Sequence, residues 1–317
     1  MWAFIIRRIV YNIPVFLGIV LLVMCILSFR DPVPGMMGKN ATVEELVAKR
    51  HELGLDKPLL SRYLTLVGEM VRFDFSQDMW TQPGMTVGEQ LRRAVPISLW
   101  LTLPALALTT VISVSIGMLS AYSRGQWLDK TLVFFAVLGM SVSFLVYIIF
   151  GQYFGSYQLG RALGHPVFAI HGYEPGIQNW AYYMLLPVLI SVIVSMGYNT
   201  RFYRAVMVEE TNQDYITTAW SKGATTSKIM FVHMLRNAMI PIVTRIMITL
   251  PLLVTGSILL ERFFGIPGMG DTLLSAISNN DFPVIEVFSA IFAGLFIGSI
   301  ILTDVLYAVF DPRVRLQ

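Results

Sequence analysis

The chain has 317 residues, of which 55% are hydrophobic and 14% charged, and its mean hydropathy is +0.65. Soluble domains carry about a quarter charged residues, so a soluble globular domain is excluded and long apolar runs set the reading. The net charge of +3 is too small for a nucleic-acid footprint, and the single cysteine, Cys25, lies in an apolar run where it can form no internal disulfide.

Residues 9–29 form the first apolar span, preceded by Arg7 and Arg8 and followed by Arg30-Asp31-Pro32 rather than a small-residue cleavage site. The reading is an uncleaved helix with its amino end inside. Residues 30–95 are a polar excursion of balanced charge. In it Thr42 caps a helix with Glu44 and Glu45 in the first turn. A second helix runs from Pro58 to Phe73, with Tyr63, Leu66, Met70 and Phe73 on one face. A third starts near Thr86, where Glu89 completes a capping box. Asn40-Ala41-Thr42 matches a glycosylation sequon. Gly38-Lys39 fails as a phosphate loop, because Val33 and Asn40 replace the required glycine and hydroxyl residue.

The second span covers 97–122 with Pro104 tolerated inside it. A tight turn over Arg124–Lys130 leads to the third span, 131–156, where Gly151 and Gly155 have the spacing that lets helices approach closely. Residues 157–180 return to the outer side with Arg161 as their one Lys or Arg. His165, His171 and Glu174 lie there; a metal site is conceivable, but two histidines on a loop are ordinarily solvated. The fourth and fifth spans are 182–200 and 240–260. Gly265–Pro283 has no Lys or Arg and reads as a partly re-entrant segment packed in protein. The sixth span, 284–310, offers Gly294 and Gly298 as a close-packing face and holds Asp304 near its inner end, where a helix partner or snorkelling is expected before a functional role. In the short loops Arg7, Arg8, Arg124, Lys130, Arg201, Arg204, Lys222, Lys228, Arg236, Arg313 and Arg315 fall on one side and Arg161 on the other. An even number of spans with both ends in the cytoplasm follows.

The longest polar interval of the second half is Glu209–Pro241, which overlaps a loop of residues 201–240 and ends at the boundary just after it. Two short helices are expected there, broken at Gly223 as a left-handed C-cap. Tyr215, Ala219 and Trp220 fall on one face of the first; Thr225 caps the second, with Ile229, Val232, Leu235 and Met239 at helical spacing and Pro241 at the next boundary. Ala219 and Ala224 are small beside the glycine, while Asp214 and Lys222 could make rim contacts. Such an element is either a knob for a soluble partner or a plain polar connection.

Ala219-x-x-x-Gly223, with Leu235-Arg236-Asn237-Ala238 before Pro241, resembles the coupling loop of dipeptide and oligopeptide ABC importer permeases. Arg7-Arg8 with the Ile-Pro-Val span, His51–Pro58, Gly265-Ile266-Pro267-Gly268-Met269-Gly270 and Asp311-Pro312-Arg313 resemble other segments of that family in the same order. Two departures are Thr217-Thr218-Ala219 for the usual Glu-Ala-Ala, which denies Thr217 an acidic role, and the altered turn at Arg30–Gly35. The resemblance implies an all-α membrane protein of six transmembrane helices with the type I importer permease fold. It would comprise an N-terminal helix (1–29), an extracytoplasmic helical region (30–95), a permease core (96–310) and a cytoplasmic tail (311–317). It further implies a pore-forming subunit in a bacterial inner membrane, translocating peptides by alternating access. Its partners would be a second homologous permease, two cytoplasmic ATPases that bind the ATP and Mg, and an extracytoplasmic substrate-binding protein. ATPase coupling would fall to Asp214, Ala219, Trp220, Lys222, Gly223 and Ala224. No phosphate loop, HExxH, nucleophile elbow or CxxC is present, so no catalytic or metal residue is assigned and the chain itself cannot hydrolyse ATP. Nickel, glutathione or another small solute are the alternatives within transport. An ion-coupled secondary transporter, or a membrane enzyme around His165, His171 and Glu174, are alternatives of other classes.

Overall fold

The computed structural model describes residues 2–38, 41–255 and 257–310. Lys39 and Asn40, with the sequon, and the tail carrying Asp311-Pro312-Arg313 and Arg315 lie outside the described residues.

Helix α1 (Trp2–Ser28) keeps Pro14 within it and is followed by α2 (Val33–Met37), α3 (Val43–Glu52) and α4 (Leu59–Arg72). The start of α3 is a complete capping box. Thr42 Oγ1 accepts from the Glu45 N–H at 3.4 Å and the Glu45 carboxylate accepts from the Thr42 N–H at 2.8 Å. The latter bond holds the Glu45 carboxyl below its ordinary value. On α4 the expected stripe packs inward at Leu66, with Tyr63 and Met70 against the same cluster. The Tyr63 hydroxyl donates to Leu17 O at 3.1 Å, which ties the excursion to α1. Phe73 does not belong to that face. The helix ends before it, Phe73 takes the left-handed cap at φ 54°, and its side chain is 82% exposed.

Helix α5 (Val87–Tyr122) starts at the second capping box, Thr86 with Glu89, and does not stop where the excursion ends. The expected third outer helix and second span are one helix of 36 residues with Pro96 and Pro104 both inside. The carbonyl that Pro104 leaves without its helical donor is that of Trp100, four residues back. It accepts from the Trp180 indole N–H at 3.0 Å. A neighbouring side chain thus removes the penalty that would have ended the helix.

The turn at Ser123–Gln126 is shorter than expected, and α6 (Trp127–Ser141) begins at once. After a break at Val142 come α7 (Phe144–Phe150), a π-helical segment Gly151–Gln158 and α8 (Leu159–Leu163). The third span is therefore bent, by 91° between Trp127–Ser141 and Phe144–Leu163. Helix α9 (Trp180–Thr211) runs on past the fourth span with Pro187 inside. Gly151 and Gly155 meet it closely: a Cβ there would lie 2.5 Å from Ile190 Cδ1 and 2.9 Å from Leu186 Cδ1. The close approach expected from their spacing is made.

Next come α10 (Asp214–Ser221) and α11 (Thr226–Lys228), then a π-helical turn Ile229–Met234 and α12 (Leu235–Thr255). From α11 to α12 the helix is unbroken, so Pro241 lies inside it rather than at a boundary. The membrane-length stretch is Thr226–Thr249, and Ile258–Leu260, expected in the fifth span, belong to α13 (Ile258–Phe264). Helix α14 (Met269–Asn279) buries Met269, Gly270, Thr272 and Ala276, and α15 (Phe282–Phe310) closes the described chain. Among the described residues Gly294 and Gly298 make no close approach, for Phe16 of α1 comes only to 3.7 Å of a Cβ at Gly294 and nothing lies within 4 Å at Gly298. Among the described residues, five helices are long and apolar enough to cross a membrane, or six if the bent pair is one span.

Packing separates the two ends of the bundle. One cluster joins α1, α4, α14 and the start of α15 through Val20, Leu66, Met269 and Phe288. Another joins the ends of α5 and α9 to α10 and α12 through Met118, Tyr203, Ile216 and Ala238. Arg8 and Asp304 meet at 3.2 Å, giving Asp304 a helix partner.

Candidate functional site

The polar loop between α9 and α12 folds as one compact element. Ile216 and Ala219 of α10 are buried against Tyr203 and Met207 of α9 and against Ile229, Met234 and Ala238. The Tyr215 hydroxyl donates to Glu210. Burial first, then the Glu210 carboxylate, pushes that phenol up to about 12. The expected face of Tyr215, Ala219 and Trp220 is rotated. The inward pair is Ile216 and Ala219, and Trp220 is 50% exposed. An apolar ring left half in solvent beside exposed Asp214 and Lys222 presents a surface.

Helix α10 ends in a Schellman motif. Gly223 takes φ +73°, its N–H donates to Trp220 O at 2.9 Å, and the Ala224 N–H donates to Ala219 O at 3.1 Å. Among the described residues nothing lies within 4 Å of a Cβ built at Gly223, so among them the glycine is required by backbone conformation alone. Thr225 stands at the next helix start without a side-chain cap bond. The inward residues after it are Ile229, Met234, Ala238 and Ile242. Of the expected set only Ile229 is buried and Leu235 packs partly; Val232 and Met239 are 48% and 42% exposed. The π turn inserts one residue between Ile229 and Met234 and moves the face.

The element is mounted on α9, which an ion pair and a close helix approach join to α6 and α5. Arg204 of α9 donates through Nε and Nη2 to Asp129 of α6 at 2.7 and 2.8 Å. Asp129 also accepts from the Gly125 N–H at 3.0 Å and from Ser120. Gly117 of α5 lets the α9 backbone come close, since a Cβ there would be 2.9 Å from Arg204 N. Arg204 is thus an internal ion pair as well as a topology signal.

At the other end Glu261 is fully buried. It accepts from Ser98 Oγ at 2.7 Å and from the Gly270 and Asp271 N–H groups at 2.7 and 3.0 Å. Ser98 Oγ in turn accepts from the Met269 N–H at 2.8 Å. Glu261 and Ser98 cap α14 together, and the Gly265–Gly270 run fits around them. Gly265 is left-handed at φ +65° against the His171 ring, and a Cβ at Gly268 would lie 2.5 Å from both Glu261 Cδ and Ser98 Oγ. His165 and His171 line a cavity of about 650 Å³ with Arg161 and Tyr182, but no group of three metal-ligating side chains occurs among the described residues.

Three buried or intramembrane ionisable groups were not singled out from sequence. These are Glu261, Glu286 paired with Arg62 at 3.5 Å, and Arg245 in α12. Glu261 and Arg262, adjoining the fifth span, escaped the tally of charges, and Arg262 is paired with Asp271 at 3.2 Å.

A helical bundle with several membrane-length helices, carrying at one end a compact helix-glycine-helix element, defines a multi-pass membrane protein. The chain belongs to the family of binding-protein-dependent transport system inner membrane components, whose model matches residues 113–316, while residues 1–105 match the model of that family's N-terminal region. It is 31% identical over 99% of its length, and all of the relative's, to a probable peptide ABC transporter permease protein, y4tP, of Sinorhizobium fredii. Oligopeptide transport system permease protein AppB of Bacillus subtilis is 30% identical over 99% of this chain and 100% of its own. Dipeptide transport system permease protein DppB of Lactococcus lactis is 34% identical over 87% of both chains.

Proposed function

We propose that this chain is the pore-forming permease subunit of an ATP-driven importer of peptides, and that α10 with Gly223 is where partner ATPases couple to it. The observation that carries the reading is the Schellman-capped α10, packed inward through Ile216 and Ala219 while Trp220 stays half exposed. In the family's type I arrangement the chain pairs with a second homologous permease, with two ATPases that bind ATP and Mg, and with an extracytoplasmic substrate-binding protein. The bent α6–α8 pair then counts as one of six spans. The coupling end and both termini face the cytoplasm, with residues 30–95 outside, and the cation distribution supports this orientation. Peptides are the solute because relatives across the full chain carry that function in their names.

Two measurements test the reading. Proteoliposomes holding the assembled importer should take up short peptides only with ATP inside the ATPase compartment; uptake driven by a proton gradient without ATP contradicts it. In a chain with Cys25→Ser, a cysteine at Asp56 should react with an impermeant reagent from outside the cell, and reaction only from the cytoplasmic side contradicts the topology.

A further inference from the structure

Arg245 sits at the midpoint of α12 (Leu235–Thr255), in a stretch of membrane length. A cation inside such a stretch is costly, by up to about 3 kcal/mol at a span's centre on insertion scales, and faces a bundle interior or a watered path. Its Nε lies 3.4 Å from Asn199 Oδ1 on α9, and its guanidinium carbon is 5.5 Å from the centroid of Phe202. Arg8, Arg50, Arg62, Arg204 and Arg262 each have a carboxylate partner. Arg245 has none among the described residues, and one amide oxygen and one ring face leave most of its five N–H donors unused. Tyr198 precedes Phe202 by one turn on α9, the helix that also carries Asn199, and the two side chains are 53% and 37% exposed. The Phe202 ring, the Asn199 amide and the guanidinium fork lie together where α9 meets α12.

We propose that Arg245 is a carboxylate-binding point on the solute path, which takes the C-terminal carboxylate of a transported peptide while Tyr198 and Phe202 contact its last side chain. A planar guanidinium outside bulk water binds a carboxylate in bidentate fashion, more strongly than a lysine could. The proposal rests on the peptide-importer reading.

The test uses the assembled importer in proteoliposomes with a tripeptide and its C-terminal amide. Arg245→Gln should lower import of the free acid about tenfold, the loss of one charge-assisted contact, and leave the amide nearly unchanged. Arg245→Lys should fall between. The binding protein is the same throughout, so its own preference cancels in the ratio of variant to wild type. A second arm uses the free acid alone. Arg245→Cys in the Cys25→Ser background should regain import after reaction with a cationic ethylammonium thiosulfonate and not with the anionic sulfonate analogue. An equal fall for acid and amide, as expected if Arg245 pairs with a partner subunit, overturns the proposal. So does no change in either, as for an arginine reaching the lipid headgroups, and so does failure of the cationic reagent to restore import. If the peptide reading itself is wrong, the wild type imports neither peptide with ATP, which is a different result.

Discussion

Glu261 and Asp129 are both buried carboxylates, and their surroundings give them different behaviour. Among the described residues Glu261 has no cation paired with it, and burial pushes its carboxyl up to about 7. The folded protein therefore holds this proton more tightly than the unfolded chain does. Its contribution to stability is fully present below the ordinary value of 4.5 and is lost as pH rises through about 7. Glutamine reproduces the protonated form, with its amide N–H toward Ser98 and its oxygen toward the Gly270 and Asp271 N–H groups. Glu261→Gln should flatten the pH dependence of thermal unfolding in detergent over that window. Glu261→Ala, which orphans both N–H groups, should cost about 2–4 kcal/mol. A pH profile unchanged by Glu261→Gln would contradict the account. Asp129 instead is held by the Arg204 fork. Asp129→Asn leaves that guanidinium without its counter-charge and should destabilise by about 3 kcal/mol, more than Arg204→Lys, as read from melting of the purified protein. Neither carboxylate could be ranked from sequence. Asp129 looked like one polar residue of a turn, and Glu261 owes its environment to Ser98 and to a glycine run that is distant in the chain or adjacent only after folding.

At the scale of elements, what local chemistry decides was legible and what neighbours decide was not. Thr42 with Glu45, Thr86 with Glu89, and Gly223 after Ser221 are signals carried within a few residues, and each element starts or stops where they say. Pro241 marked a false boundary, and the division expected between the excursion and the second span falls inside α5, because a long apolar helix with packed neighbours keeps its course past a proline, as it does at Pro104, where Trp180 bonds the Trp100 carbonyl. The face after Thr225 was misread for a different reason. The π turn Ile229–Met234 adds a residue to the period, and no single residue type announces it. This has a direct consequence. Deleting exposed Val232 should remove the extra residue and leave the buried faces on both sides in register, with near-normal membrane abundance. Deleting Ile240, also exposed but inside regular α12, rotates one face by about 100° against the other and should lose abundance. Equal abundance of the two deletions would contradict the π-turn account.

For the whole molecule, the two ends have separate chemistry. The end near α3, α4 and α14 is tied together by buried polar contacts, such as Asp281 accepting from Thr81 N–H at 2.9 Å and Oγ1 at 2.6 Å. The opposite end carries α10 on a mount made of α5, α6 and α9. The central claim is that this mounted helix passes the ATPase movement into the bundle. Gly223 tests it most directly, because a side chain there meets nothing within 4 Å among the described residues and is resisted by the left-handed backbone, at about 1–2 kcal/mol. The measurement is paired: membrane abundance, and recovery of the ATPase with the permease from detergent, for wild type, Gly223→Asp and Trp220→Ala. The account predicts near-normal abundance for both variants, with the ATPase lost from Gly223→Asp and weakened in Trp220→Ala, and with peptide import falling in the same order. Gly223→Asp that keeps its ATPase and imports peptide normally would contradict it.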